Sequence, residues 1–291
     1  MGPLVVAVGA LLLAAPATSA LTLVDMRDRQ VTLPAPPQRI VSLVPSVTEL
    51  MFALGGEGRL VGVTDYCDFP PAAKQKPSVG GMIAPSLETI VALRPDLVIA
   101  TDAGSRQETL AQLQRLGIPV YLVHANSVAQ MLDVGARLGA LTGREVSAAR
   151  LTAHLRQRIR AVEVAVAPFR PPRVLYVLWP EPLVVPGRDA IVTELIRRAG
   201  GQSVSAEEPS DYPRFSVEAA VARAPEVIIL ARHGTGSEPI ARDQWDKLGN
   251  LPAVRAGRVH AVDGNVLHRY GPRVVDGLEL LARMIHPEAF P

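Results

Sequence analysis

Ser86 to Ala100 (SLETIVALRPDLVIA) and Ser216 to Leu230 (SVEAAVARAPEVIIL) are one pattern written twice, identical at six of fifteen positions. In each copy a serine stands where it can cap a helix, a proline ends that helix, and an apolar run of strand length follows. Working outward, Arg39 and the strand Ile40-Val41-Ser42-Leu43-Val44 match Arg173 and Val174-Leu175-Tyr176-Val177-Leu178. After an insertion in the second copy, Val47-Thr48-Glu49-Leu50 recurs as Val192-Thr193-Glu194-Leu195, and Gly55-Gly56 as Gly200-Gly201. Strands at Leu60 to Val63, Asp96 to Ala100 and Val120 to Val123 alternate with helices at Ser86 to Leu93 and Arg106 to Leu116. The spacing predicts an α/β fold of two related lobes with mainly parallel sheets and a ligand crevice between the lobes. Within the first lobe, Pro45-Ser46-Val47-Thr48-Glu49 reads as a helix start with Ser46 as N-cap and Glu49 at the capping-box position.

Between the repeats, Arg144 to Val166 contains no Gly or Pro, and Leu151, Leu155, Ile159 and Val162 recur at helical spacing. Such a helix would reach roughly 34 Å, enough to cross a small domain. An ordinary amphipathic helix of one lobe would carry the same pattern; the position between the repeats favours a connection. The expected organisation is therefore a signal segment over 1–20, an N-terminal α/β lobe over 21–143, a connecting helix over 144–167 and a C-terminal α/β lobe over 168–291.

The first twenty residues carry no charge, and the apolar run Leu4 to Ala15 is followed by Pro16 and Ala17-Thr18-Ser19-Ala20. This reads as an export signal cleaved after Ala20, although it lacks the usual basic start, and an uncleaved anchor is the alternative. The whole chain has 291 residues, 48% hydrophobic and 20% charged, a composition that excludes disorder and coiled coil. Thirty basic and 28 acidic residues leave a net charge of +2, without the basic field that nucleic acid would demand. The single cysteine, Cys67, excludes a disulfide within the chain and reads as a small packed residue.

Enzyme motifs are missing: there is no P-loop, G-x-G-x-x-G after a strand, G-x-S-x-G or H-E-x-x-H. Gly234-Thr235-Gly236-Ser237 is too short for a dinucleotide fingerprint. The six histidines, His124, His154, His233, His260, His268 and His286, show no metal-ligand spacing, although His124 and His260 follow strands and could face the crevice. A metal-dependent or hydrolytic enzyme on paired lobes remains only a remote alternative.

Four stretches carry a family resemblance: Arg39 to Gly55 (RIVSLVPSVTELMFALG), Tyr66 to Pro71 (YCDFPP), Ser86 to Ala100, and Gly264 to Arg273 (GNVLHRYGPR). The chain resembles the periplasmic substrate-binding proteins of ABC importers for cobalamin, and more broadly the helical-backbone class that also carries haem and iron-siderophores. The resemblance implies one long helix between lobes that move little, a transported corrinoid with no cofactor of the protein's own, and a permease dimer with its ATPase subunits as partner.

It also implies roles for particular residues. Tyr66 matches a tyrosine lining the ligand cleft, its alternative being loop packing. Met82 stands where the cobalamin binders carry a tryptophan against the corrin face, and Tyr212 stands near a second such tryptophan. Trp179, at a strand end, offers the largest apolar surface for the cleft mouth, or else belongs to the core. Asn265 and Arg269 occupy the places of an acid and an arginine that hydrogen-bond the ligand's polar periphery. For haem, Tyr66 with a cleft histidine would supply the axial ligands. Glu88 and Glu218 recur at the same place in both lobes, where family members dock on the two permease subunits. Either one alone is accounted for by the favourable field at a helix start.

Overall fold

The structure, a computed structural model, describes residues 21–232 and 244–290. The signal segment over 1–20, His233 and the Gly234–Ser237 loop lie outside the described residues. Each repeat builds a four-stranded parallel sheet. The first sheet has the order β4(Leu60–Val63), β3(Ile40–Ser42), β5(Leu97–Thr101), β6(Val120–Val123); the second has β10(Gln202–Ser203), β7(Arg173–Val177), β11(Val227–Arg232), β12(Val259–Asp263). Numbered within its own lobe, each sheet reads second, first, third, fourth, so the repeat seen in sequence is a repeat of topology. Two antiparallel ribbons are added: β1(Leu21–Val24) with β2(Gln30–Leu33), and β8(Trp179–Pro180) with β9(Leu183–Val184).

The strands are apolar on both faces because both faces are covered. Ile40, Leu97 and Ile99 point to one side, among Val47, Leu50 and Met51 of α1(Pro45–Ala53), while Val41, Val98 and Ala100 point to the other, with Ile90 of α2(Leu87–Ala92) and Leu113 of α3(Gln107–Arg115). The second lobe repeats the arrangement. Val174, Tyr176, Val227 and Ile229 pack with Leu195 of α6(Ile191–Arg198) and Leu278 of the C-terminal helix Val274–Ile285, while Leu175, Val177, Ile228 and Leu230 pack with Ala220 of α7(Val217–Ala222).

Two helices stitch these cores together. In α4(Val128–Thr142), Val128, Met131 and Leu132 belong to the second-lobe core, and Val134, Leu138 and Leu141 to the first. Gly143, at φ 63°, ends α4 in the left-handed conformation that costs glycine little. The chain then returns as α5(Glu145–Val166), whose Ala148 sits in the first core and whose Leu155, Ile159, Val162 and Val166 sit in the second. The segment between the repeats is thus half of a helical hairpin, with α4 packed along it. No helix among the described residues is long and apolar enough to cross a membrane.

One local expectation fails. Helix α1 begins at Pro45 with Val44 as its N-cap, and no side chain caps it. Proline at the first helical position supplies a preset φ and has no N–H to satisfy, so a serine cap is not needed. Glu49 is released from any capping box and is used elsewhere.

Candidate functional site

A cavity of about 1030 Å³ opens between the lobes. It lies where parallel α/β sheets place ligands, beyond the carboxyl ends of their strands. The first lobe contributes Val44, Pro45 and Ser46 after β3, Tyr66 and Asp68 after β4, Thr101 at the end of β5, and Val123 to Asn126 at the end of β6, together with Met82 and Ile83. The second contributes Asp189 to Ile191 at the start of α6, Asp211 and Tyr212, and Asn265 with His268 to Tyr270 after β12.

Of the six residues expected at the ligand, the structure brings Tyr66, Met82, Tyr212, Asn265 and Arg269 together on this wall. Trp179 is not on it. It pairs with Val184 in the β8–β9 ribbon and donates its indole N–H to the Glu181 carbonyl at 3.0 Å, 45% exposed. The ribbon is part of the insertion that interrupts the second repeat, so its strand end does not reach the crevice edge.

Arg269 is not the open fork that its loop position implied. Its guanidinium makes a two-toothed pair with Asp68, one tooth being Nη2 to Oδ2 at 3.2 Å, donates from Nε to Asn265 Oδ1 at 3.1 Å, and reaches the Tyr66 carbonyl. Asp68 and Tyr66 belong to the first lobe, so the arginine ties the lobes as well as lining the cavity. Beside it, Arg273 donates from Nη2 and Nε to the two Glu49 carboxylate oxygens at 2.6 and 3.1 Å, with its guanidinium 3.9 Å from the centroid of the Phe69 ring.

His124, which follows a strand and is expected to be able to face the crevice, is on the cavity wall. His124 Nδ1 lies 3.1 Å from Asp102 Oδ1, and Asp102 is also paired with Arg27. Burial, with the nearby Arg27 charge second, lowers the His124 pKa, so this ring is neutral at pH 7. His260 lies within β12 and is not on the cavity wall. His268 accepts or donates at Nε2 with the Tyr176 hydroxyl at 2.8 Å, and the Tyr212 and Tyr270 hydroxyls meet at 2.6 Å. Burial raises the pKa of both of these phenols, which keeps them protonated and able to donate. His268 and Tyr270 were legible only as neighbours of Arg269; Asp189 and Asp211 stand in loops with no motif. Cys67 is buried with its sulfur 3.2 Å from Thr64 Oγ1, a packed thiol off the cavity wall.

Glu88 and Glu218 are not on the cavity wall, each being exposed in the first turn of a helix. Ser86 and Ser216 cap those helices by accepting from Thr89 N at 3.2 Å and Ala219 N at 3.0 Å. Neither glutamate forms an ion pair among the described residues.

Two lobes of matching topology, joined by helices, enclose a cavity at the carboxyl ends of their strands, the architecture of a binding cleft. A family model for periplasmic binding proteins matches residues 40–266, and the chain belongs to that family. It is 29% identical over 246 residues to a vitamin B12-binding protein of Vibrio cholerae, covering 84% of this chain and 88% of that one. It is 31% identical over 274 residues to a cobalamin-binding protein of Halobacterium salinarum, covering 90% and 73%. Among solved structures it resembles a periplasmic heme-binding protein from Pseudomonas aeruginosa at a TM-score of 0.77 and 32% identity, covering 88% of this chain and 95% of that one.

Proposed function

We propose that this protein is the exported substrate-binding component of an ABC importer, which captures a corrinoid of the cobalamin type between its lobes and delivers it to a permease dimer with its ATPase subunits. The charge of the cavity wall carries the choice of ligand. Among the described residues the only guanidinium or ammonium group on the wall is that of Arg269, already neutralised by Asp68, while Asp189 and Asp211 are exposed carboxylates in no ion pair. Haem presents two propionate carboxylates, which like charge would repel. A cobalamin-type periphery presents mainly neutral amides, whose N–H groups donate to those aspartates, with one phosphodiester in place of two carboxylates. The names of the two relatives in Vibrio and Halobacterium support the same reading.

Haem is the second reading, favoured by the haem-binding structural neighbour and by Tyr66 and His124 standing on one cavity. The protein performs no catalysis of its own in either case. Residues 1–20 are its cleaved export signal, and 21–143 and 168–291 are its two lobes, joined by 144–167. Tyr66, Met82, Tyr212, Asn265 and Arg269 contact the ligand, and Glu88 and Glu218 face one permease subunit each. The test is the absorbance spectrum of protein repurified after exposure to cyanocobalamin, haem and a ferric siderophore. A retained corrin spectrum is expected; a retained Soret band without corrin would install the second reading.

A further inference from the structure

The repeated acids inside the molecule have a shared geometry. Glu49 and Glu194 occupy the same position of the Val-Thr-Glu-Leu repeat, in α1 and α6, the helices that follow the first strand of each sheet. Neither acid caps its own helix: both helices begin without a side-chain cap. Instead Glu49 reaches the opposite lobe, and Glu194 reaches the start of α4, which leaves the first lobe's sheet but packs in the second lobe's core. Glu49, 3% exposed, receives two hydrogen bonds from Arg273 of the second lobe. Glu194 Oε2 accepts from the backbone N–H of Val128 at 2.9 Å, one of the unpaired donors at the start of α4, where negative charge is favoured. Its other oxygen is held by Arg198 at 2.8 Å, which in turn pairs with Glu163 of α5.

What each acid grips matters more than the grip itself. The first turn of α1 carries Pro45 and Ser46 on the cavity wall, and Arg273 follows the wall residues Arg269 and Tyr270. Helix α6 starts with the wall residue Ile191, and Val128 follows the wall residue Asn126. Each tie therefore joins a helix that starts in one wall to a segment that ends the other.

We infer that Glu49 and Glu194 are positioning residues for the cavity, a repeat-related pair that fixes the angle at which its two walls face. A buried carboxylate held by a fork of donors tolerates little displacement, because movement leaves charge unpaired out of water. Glu49 makes such a tie at 3% exposure and Glu194 a more open one at 20%, and the two together resist opening and twisting. Preorganisation of this kind lowers the ordering cost of binding, so its loss is read as weaker affinity. The affinity readout rests on the corrinoid reading; the geometric readout does not.

The test is the inter-lobe distance distribution in ligand-free protein, with spin labels on exposed Glu108→Cys and Arg255→Cys, measured beside cyanocobalamin affinity. Glu49→Gln together with Glu194→Ala should broaden the distribution and raise Kd about tenfold, each single change being intermediate. Glu194→Gln should preserve the narrow distribution, since its amide oxygen still accepts from Val128. A methyl group at Gly271 would lie 2.7 Å from Glu49 Oε2, so Gly271→Ala displaces the first tie without removing a charge and should also broaden the distribution. This variant serves if the double variant does not fold. A distribution and Kd unchanged from the parent, whatever happens to the melting temperature, would overturn the inference. Failure of the parent to bind cyanocobalamin while the distances respond would overturn the proposed ligand and leave the positioning role standing.

Discussion

At the scale of single residues, Arg269 shows what motif reading captures and what it misses. Its place on the cavity wall was legible because it sits in a recognisable closing segment beside Asn265. Its partner was not: Asp68 lies 201 positions away, and no local pattern links them. The pairing changes the expected behaviour. An unpaired cavity arginine could be removed at the expense of ligand alone, whereas Arg269→Ala strands Asp68 and cuts a tie between lobes. We expect it to weaken ligand binding by about 1.5–3 kcal/mol, the range for hydrogen bonds to charged groups, and also to lower the ligand-free melting temperature. Calorimetry and a thermal scan of the same variant check both, and an unchanged melting temperature would contradict the tie. Trp179 illustrates the opposite error. A large aromatic at a strand end invites a ligand role, but the inserted ribbon carries it off the cavity wall.

At the scale of elements, the repeat explains why so much of the fold could be read. Asp96 accepts from the backbone N–H groups of Gln38 and Arg39, and Glu226, its counterpart, accepts from that of Arg173. Arg39 and Arg173 in turn donate to the carbonyls of Arg94 and Ala224, the residues before each proline, both at positive φ. The same turn, closed by the same acid and arginine, launches the third strand of each sheet. The hydrogen bond from Arg170, with that from Arg173 N second, holds Glu226 down to about 2. A carboxylate depressed on folding stabilises above its ordinary pKa of 4.5, and that contribution is lost as pH falls from there through about 2. Glu226→Gln should therefore flatten the acid limb of stability, followed by urea unfolding across that window. Hidden from the sequence was the packing of α4 on α5, which depends on surfaces rather than spacing. A Cβ on Gly139 would stand 2.5 Å from that of Ala148. Gly139→Leu should pry this hairpin apart and cost about 1–3 kcal/mol, the usual penalty of overpacking, in denaturant titration.

At the scale of the whole molecule, two sheets of identical order are stitched by α4 and α5 and tied across the cavity by Arg269 and Arg273. The same pseudo-symmetry places Glu88 and Glu218 at matching exposed helix starts, where the proposed docking would present one acid to each permease subunit. Glu88→Arg with Glu218→Arg should leave ligand affinity intact and abolish vesicle uptake, each single reversal being intermediate; normal transport by the double variant would remove the docking role. The central claim is that the cavity takes one corrinoid, its periphery mostly neutral amides with a single phosphodiester, in preference to a dicarboxylate macrocycle. Calorimetric titration of the purified protein with cyanocobalamin, repeated in the presence of excess haem, tests it most directly. The account predicts saturation at one equivalent per chain with little competition from haem. Saturable haem binding with no heat from cyanocobalamin would contradict it.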